Sequence, residues 1–287
     1  MIGNFELDDC YTGEAVAMLA QLPDACIDLT VTSPPYDEMD AEYNLIPGGL
    51  RTYNGYQLNF ADLARQLYRV TKPGGVVMWV VGDSVVDGSE TITSARQKIF
   101  FYKLGFNIHD TMIWHKKNFT NPEKKRYHQV FEYMVVLSVG APKTFNPIID
   151  KKNIWAGETK FGGGGGRRMD GTMDARPKRI VNDLGMRGNV WLMNTAAQEN
   201  ICQPNAHPAM FTEELAHDHI LSWSNPGDVV LDPMCGSGTT LKQAKELGRR
   251  YIGFDISAEY IEKIAKPRVN GARVPLTGIF DDVPQVA

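Results

Sequence analysis

A glycine-rich run in the last quarter of the chain is the feature that most constrains the fold. The apolar segment 228–231 leads into it with the character of a buried strand, and the segment 241–247 after it has the periodicity of an amphipathic helix. The glycines are therefore predicted to lie in a strand-to-helix turn. There the backbone can approach a ligand closely, and the free amides at the helix start favour an anion. The run itself, residues 231–240, reads Leu-Asp-Pro-Met-Cys-Gly-Ser-Gly-Thr-Thr.

An acidic residue follows at a spacing that is typical of nucleoside-binding sheets. Asp255 ends the next predicted strand, 19 residues after Gly236, and an acid at such a strand tip can bind ribose hydroxyls. The turn departs from two other patterns. No Lys precedes Thr239 as in a phosphate-binding P-loop, and Leu241 stands where a dinucleotide fingerprint has its third glycine. A nucleoside cofactor is predicted, with an ordinary structural glycine turn as the alternative.

Composition limits the remaining classes. The 287 residues are 43% hydrophobic and 22% charged, with no apolar run near the length of a membrane span and no secretory signal at the start, so we expect a cytoplasmic protein with no membrane partner. The four cysteines form no Cys-x-x-Cys pair. His217 and His219 are predicted on different faces of a helix. No metal is expected.

Positive charge is concentrated in the middle of the chain although the net charge is −4. Residues 143–187 hold ten Lys or Arg against five acids, and residues 116–126 hold five against one. The rest of the chain therefore carries about −13, which follows from −4 minus +5 minus +4. A solvated loop can explain any one charged run, but this clustering is also typical of a polyanion-binding surface.

A second motif stands near the start of the chain. Ile27–Thr32 is predicted as a strand that runs directly into Ser33-Pro34-Pro35-Tyr36. Two prolines cannot continue a strand ladder, so this tetrapeptide is held rigidly at the carboxyl end of the strand. In an open α/β sheet, the carboxyl ends of the strands form the ligand crevice. A proline-rich surface turn is the alternative reading of the motif taken alone.

Strands alternate with helices along most of the chain, which predicts an α/β fold with a doubly wound, mostly parallel sheet. The pattern dissolves after Gly140, and residues 141–203 are interpreted as an inserted recognition unit with a small core. That core would draw on apolar residues of the insert: Ile148, Ile149, Trp155, Ile180, Val181, Leu184 and Trp191. The predicted organisation is a catalytic part at 1–140, the insert at 141–203, a cofactor-binding part at 204–266 and a surface tail at 267–287.

Taken together, the two motifs resemble those of the DNA amino-methyltransferases. Thr32-Ser33-Pro34-Pro35-Tyr36 is similar to their catalytic motif, and the turn at 232–240 with Gly-Phe-Asp-Ile downstream is similar to the S-adenosyl-L-methionine (SAM) site of class I methyltransferases. The catalytic motif precedes the cofactor turn, with the insert between them, an order that resembles the β group of that family. The resemblance implies a circularly permuted class I methyltransferase fold that uses SAM.

The resemblance also assigns roles to individual residues. Catalysis falls to Ser33, Pro34, Pro35 and Tyr36. The residues expected to bind SAM are Asp9, Cys10, His207, Pro208, Phe211, Asp232, Pro233, Cys235, Gly236, Ser237, Gly238, Thr239, Thr240, Asp255 and Ile256. Asp83 is interpreted as capping its strand rather than touching substrate. An ordinary strand end remains the alternative for Asp9 and Cys10.

The expected partner is double-stranded DNA, with a homodimer kept as a candidate assembly. The basic residues expected to hold DNA are Lys116, Lys117, Lys124, Lys125, Arg126, Arg167, Arg168, Arg176, Lys178 and Arg179. In the family, Ser at the first motif position is typical of cytosine-N4 enzymes and Asp of adenine-N6 enzymes, so Ser33 favours cytosine, with adenine as the nearest alternative. A DNA-binding module without turnover is the alternative from another class.

Overall fold

The structure is a computed structural model that describes residues 1–35, 58–118, 124–161, 170, 172, 178–195 and 211–273. Its strands, in chain order, are β1 (Asp9–Thr12), β2 (Ile27–Thr32), β3 (Thr71–Val81), β4 (Val85–Val86), β5 (Ser89–Glu90), β6 (Asn107–Lys116), β7 (Phe131–Ser138), β8 (Ile149–Lys152), β9 (Thr159–Phe161), β10 (Lys178–Ile180), β11 (Leu184–Met186), β12 (Val190–Met193), β13 (Val229–Asp232) and β14 (Arg250–Asp255). Its helices are α1 (Ala15–Leu19), α2 (Phe60–Val70), α3 (Thr93–Leu104), α4 (Glu213–Trp223), α5 (Thr239–Glu246), α6 (Ala258–Tyr260) and α7 (Lys266–Asn270), with a π-helical turn at Ile261–Ala265 between the last two.

The chain divides into two compact units. The larger comprises Met1–Asn146 and Val190–Ala287, and the smaller is Pro147–Asn189. In the larger unit eight strands form one sheet in the order β1-β14-β13-β2-β3-β7-β6-β12. β7 pairs antiparallel with both of its neighbours, and the remaining pairs are parallel. The doubly wound, mostly parallel sheet expected from the sequence is therefore confirmed.

The core of the larger unit forms where helices cover the sheet. The strands β2, β3 and β13 are almost entirely buried, as expected for central parallel strands that are covered on both faces. Phe60, on the first turn of α2, packs edge-to-face with Trp79 of β3 at 5.9 Å and with Phe101 of α3 at 5.2 Å between ring centroids. Trp79 donates its indole N–H to Gln97 at 2.7 Å, so its buried polar atom has a partner.

Two polar side chains cap helix starts. Thr212 is the N-cap of α4, and its hydroxyl accepts a hydrogen bond from the backbone N–H of Leu215 at 3.2 Å. Asp83, expected to cap its strand, instead caps the start of α3, because its carboxylate accepts from the backbone N–H and the hydroxyl of Ser94 at 2.9 and 2.6 Å. His217 is half-buried and His219 is fully buried, so the two histidines of α4 have different surroundings.

Three boundaries differ from the sequence-based expectation. Asp9 and Cys10, for which a strand end was the alternative reading, instead begin the first strand β1, with Asp9 opposite Ile252 of β14. Val190–Met193, placed in the insert by sequence, forms the edge strand β12 of the main sheet beside β6. The expected surface tail from Pro267 begins inside α7, and Val269 is buried.

The smaller unit consists of two short antiparallel pairs, β8 with β11 and β9 with β10. The expected small core is not formed by its described residues. Ile149, Trp155, Ile180 and Leu184 are exposed, and Trp191 lies outside the unit. Strands of three or four residues offer too little area to cover these side chains.

No helix among the described residues of the chain has both the length and the apolar character that crossing a membrane requires.

Candidate active site

The two sequence motifs meet at the carboxyl edge of the sheet. β2 and β13 are parallel neighbours, with Leu29 opposite Val230 and Thr30 opposite Leu231. The Thr32 hydroxyl donates to the Asp232 carboxylate at 2.8 Å, across 200 positions of sequence. A second link runs from the Thr240 hydroxyl to the Val31 carbonyl at 3.1 Å. The expected juxtaposition of the Ser-Pro-Pro corner and the glycine turn is therefore confirmed.

Asp232 acts as the anchor of this junction. Its side chain is fully buried, and burial raises the pKa of the carboxyl to about 6, although hydrogen bonds from Thr32 and Thr240 oppose the shift. The backbone N–H of Met234 also donates to it at 3.2 Å. Since its oxygens are taken up by the chain itself, this residue positions the turn, and its expected contact with a cofactor remains a prediction.

The glycine turn adopts a conformation that requires glycine. Gly236 and Gly238 have φ values of 47° and 76°, in the left-handed region that residues with a Cβ rarely adopt. The backbone N–H of Gly236 donates to Asp255 Oδ2 at 2.8 Å, and that of Ser257 donates to Asp255 Oδ1 at 2.8 Å. Asp255 thus ties the turn to the end of β14. Each carboxylate oxygen keeps a second lone pair for a ligand hydroxyl.

The end of β1 contributes an acid that the sequence reasoning missed. Glu14 caps α1, accepting from the backbone N–H of Ala17 at 2.8 Å, and the N–H of the preceding Gly13 donates to the Asp255 carbonyl at 2.8 Å. Glu14 therefore lies next to the tip of β14. Asp9 and Cys10 begin β1, and the Cys10 thiol contacts Cys235 of the glycine turn, so their expected contacts with the cofactor remain predictions. The signal that could have found Glu14 is an acid directly before an apolar helical run.

Cys10 and Cys235 meet beneath the turn. Cys10 pairs with Gly253 in the sheet, and Cys235 donates its backbone N–H to the Phe254 carbonyl at 2.8 Å. The hydrogen bond between the two thiols lowers the pKa of Cys10 and raises that of Cys235. A Cβ on Gly253 would lie 2.5 Å from Leu241 Cδ1 and 3.1 Å from Cys235 Sγ. Glycine at this position therefore leaves room for Cys235 and for α5.

A cavity of about 290 Å³ lies at the start of β7. It is lined by Glu90, Arg126, Tyr127, His128, Gln129 and Phe131. Arg126 pairs with Glu90 at 2.9 Å, and Tyr127 is 99% exposed. Aromatic and basic side chains are therefore available on this rim, the combination that suits nucleic acid.

The basic residues expected to bind DNA differ in their surroundings. Lys116 forms an ion pair with Glu132 and lies 5.0 Å from the ring centroid of Trp114, and its side chain is only 17% exposed. Lys117, Lys124 and Lys125 are exposed. Lys178 and Arg179 are exposed on β10 of the smaller unit. A phosphate contact therefore suits these residues better than Lys116.

Some expected site residues lie outside the described part of the chain. These are Tyr36, Arg167, Arg168, Arg176, His207 and Pro208. Ser33 and Pro35 are half-buried, and Pro34 is buried at the end of β2. Of the predicted segment 207–211, only Phe211 is described, and it is half-buried just before α4. No group of His, Cys, Asp or Glu among the described residues is arranged to hold a metal ion.

A mostly parallel sheet in this order, with a glycine turn after one central strand and a Ser-Pro-Pro corner after its neighbour, is the fold of SAM-dependent methyltransferases. The family described as DNA methylase, which groups N6 and N4 methyltransferases, matches residues 27–266. The chain belongs to this family of DNA amino-methyltransferases.

The relatives agree with this assignment. The orphan methyltransferase M.BamHII of Bacillus amyloliquefaciens is 49% identical over 255 residues, covering 88% of this chain and 92% of the relative. The type II methyltransferase M.BglII of Bacillus subtilis is 28% identical over 258 residues, covering 89% and 67%. Two solved structures share the fold. The cytosine-N4-specific PvuII DNA methyltransferase has a TM-score of 0.59 at 19% identity, covering 91% of this chain and 89% of its own. A DNA modification methylase of Thermus thermophilus, solved with SAM, has a TM-score of 0.59 at 24% identity, covering 91% and 94%.

Proposed function

We propose that the protein transfers a methyl group from SAM to the exocyclic N4 of cytosine in a specific sequence of duplex DNA. The observation that carries the proposal is the 2.8 Å hydrogen bond between Thr32 and Asp232, which holds the Ser-Pro-Pro corner beside the glycine turn. Donor and acceptor sites must adjoin for a direct transfer. The order of the motifs along the chain supports a permuted arrangement of the methyltransferase fold.

The residues at the edge fit the cofactor. Gly238 has the left-handed φ and the close backbone packing of a ligand-cradling turn, and Asp255 and Glu14 supply acceptors at two neighbouring strand tips. The carboxylate of Asp255 holds the ribose hydroxyls through its remaining lone pairs, and Glu14 accepts from the adenine side. When bound, SAM supplies a methyl group on a positively charged sulfonium, which is already an activated leaving group.

The chain's task is to make the amino group of the base nucleophilic. The lone pair of an exocyclic amine is delocalised into the ring, so acceptors aimed at its N–H bonds are needed to turn the nitrogen toward a tetrahedral geometry. The Ser33 hydroxyl and the Pro34 carbonyl are such acceptors. Pro34 and Pro35 fix their direction, because proline locks φ and the corner cannot join the ladder.

A base inside a duplex cannot reach this corner, so the target nucleotide is flipped out at a cost of a few kcal/mol. Stacking of the base on an aromatic side chain, for which Tyr36 is proposed, returns about 1–3 kcal/mol. The exposed basic residues Lys117, Lys124, Lys125, Lys178 and Arg179 hold phosphates, a contribution that weakens with salt.

The choice of cytosine rests on Ser33, the residue type that resembles the cytosine-N4 enzymes at this position. PvuII DNA methyltransferase, which shares the fold, is named as cytosine-N4-specific. The test is to incubate the protein with DNA and isotope-labelled SAM, digest the DNA to nucleosides and identify the labelled base by mass. Label in N4-methylcytosine supports the proposal. Label in N6-methyladenine overturns the base choice, and DNA binding without label overturns the activity.

A further inference from the structure

The glycine turn is braced from a helix that lies beyond the matched family region. That region ends at residue 266, and two later residues of α7 reach the turn. Val269 packs against Gly238, and Arg268 donates a hydrogen bond to the Ser237 carbonyl. A Cβ built on Gly238 would lie 3.1 Å from Ala265 Cβ and 3.2 Å from Ala265 Cα. The C-terminal helical segments therefore lie in direct contact with the turn rather than apart from it.

Arg268 holds both sides of Gly238. Its Nη1 donates to the Ser237 carbonyl at 2.8 Å, to the Ser237 hydroxyl at 2.7 Å and to the Thr239 hydroxyl at 3.3 Å. The guanidinium side chain is 22% exposed, so water screens these contacts only in part. A glycine-containing turn has more backbone freedom than others, and a planar donor that spans it can fix one of its conformations.

Glu213 connects this brace to the start of α4. Arg268 Nη2 donates to Glu213 Oε1 at 2.9 Å, and Lys242 of α5 donates to both carboxylate oxygens at 2.7 Å. Burial alone raises the pKa of Glu213, but the hydrogen bonds and charges of Lys242 and Arg268 outweigh it and the pKa is lowered. Glu213 directly follows Thr212, the cap of α4. The network therefore links the turn with the chain just after residue 211.

We infer that Arg268 is a positioning residue of the cofactor site, which holds the turn at 236–239 in its ligand-binding conformation and is itself held by Glu213. The inference rests on the proposed function, because it concerns the turn proposed to bind SAM. Without the brace, the turn samples conformations that do not bind, and the apparent affinity falls in proportion to the fraction that remains competent. The methyl transfer itself is not affected once SAM is bound.

The test compares Arg268→Gln with Arg268→Lys and with Lys263→Gln as a matched control. Lys263 is 74% exposed, pairs with Glu259 in the same helical stretch and has no hydrogen bond to the turn. SAM affinity is measured by calorimetry, KM and kcat with duplex DNA, and thermal unfolding without ligand. If the wild-type protein binds no SAM, the proposed function itself is contradicted. If the wild type binds SAM and Arg268→Gln binds it equally well, only this inference is contradicted.

We expect Arg268→Gln to raise the Kd and the KM for SAM roughly tenfold, the order expected for loss of a charged multidentate contact. The kcat at saturating SAM and the KM for DNA should change little. Arg268→Lys, which keeps the charge but not the fork, should recover part of the affinity. Lys263→Gln should match the wild type.

A role in folding alone gives a different pattern. A partly unfolded population lowers kcat per mole of protein without changing KM, so a lowered kcat at constant KM overturns the inference. If Arg268→Gln does not fold, Glu213→Gln tests the inference instead. This variant keeps Arg268 but removes the carboxylate charge that holds its guanidinium. A SAM affinity of Glu213→Gln equal to that of the wild type then also overturns the inference.

Discussion

The glycine turn after β13 and the small unit at Pro147–Asn189 are held in opposite ways. At the turn, Asp232, Asp255 and Arg268 bind neighbouring backbone and hydroxyl groups, and the surrounding side chains are buried. In the small unit, Ile154 is 89% exposed and Ile180 is 68% exposed. The first region is fixed by its own chain, whereas the second presents its apolar side chains to solvent.

The difference matches what each region is proposed to bind. A methyl donor is the same molecule at every turnover, so its site can be preformed by internal contacts. A DNA sequence is read by a surface that the partner completes, and exposed apolar groups beside basic ones serve such a role. In the small unit, Lys160 Nζ lies 4.0 Å from the ring centroid of Trp155, which joins both types of group in one place. Substitutions should therefore affect different quantities in the two regions.

The largest effect is expected next to the turn, at Ser33. Ser33→Ala removes one proposed acceptor for the amine, so kcat should fall by a factor of about 100 to 1,000 while the Kd for SAM changes little. Single-turnover methylation and calorimetry measure the two quantities. Ser84→Ala, which changes a serine after the neighbouring strand β3, is the control and should retain activity. Comparable losses in turnover and in SAM affinity would show that the role of Ser33 is misassigned.

A pH-dependent effect is expected at Asp232. Its folded pKa of about 6 lies above the ordinary value of 3.8, so the folded protein binds the proton more tightly than the unfolded chain does. The contribution of Asp232 to stability is therefore fully present at low pH and is lost as the pH rises from about 4 through about 6. For a shift of this size it amounts to about 3 kcal/mol.

The test compares wild type with Asp232→Asn, which cannot ionise. The difference in the free energy of unfolding between the two should move in favour of the wild type by up to about 3 kcal/mol between about pH 7 and about pH 4. Urea titrations at several pH values measure it. Asp87→Asn, in the exposed turn between β4 and β5, is the control. A difference that stays constant with pH would contradict the raised pKa.

Sequence reasoning succeeded where signals are local or where the sheet geometry is general. The strand, turn and helix around Gly236 carry their own signals, and Thr212 is an N-cap that can be read directly. The meeting of residues 32 and 232 followed from the rule that parallel strands share their carboxyl edge. These inferences need no knowledge of which residues pack together.

Sequence reasoning failed where residues far apart in the sequence determine the structure. Val190–Met193 is a short apolar run in a polar region, and only pairing with β6 makes it part of the main sheet. Lys116 belongs to a basic cluster in sequence, but the adjacent strand β7 supplies Glu132 as its partner. Arg268 follows a proline that suggested a tail, although proline is tolerated in the first turn of a helix. The support of the turn was therefore not predictable from the turn's own residues.

Two glycines, one in the strand β14 beside the turn and one in the small unit, allow a direct comparison of packing. Gly253→Ala places a Cβ 2.5 Å from Leu241 Cδ1 and 3.1 Å from Cys235 Sγ, and it should lower the free energy of unfolding by about 1–3 kcal/mol. Gly188→Ala in the small unit meets nothing within 4 Å, so it should be neutral or slightly stabilising. Chemical denaturation measures both. Equal losses at the two positions would remove the contrast between a tightly packed region and an open one.

The smallest effect is expected in the small unit, and it should be confined to DNA binding. The double variant Lys178→Gln and Arg179→Gln removes two proposed phosphate contacts from β10, so DNA affinity should fall and the slope of log K against log salt should become shallower by about 2. SAM affinity and the free energy of unfolding should not change, because neither side chain supports the turn. Arg65→Gln with Lys263→Gln removes the same charge from exposed positions of the larger unit and controls for net charge. An unchanged slope in the β10 variant, or an equal change in the control, would place the phosphate contacts elsewhere.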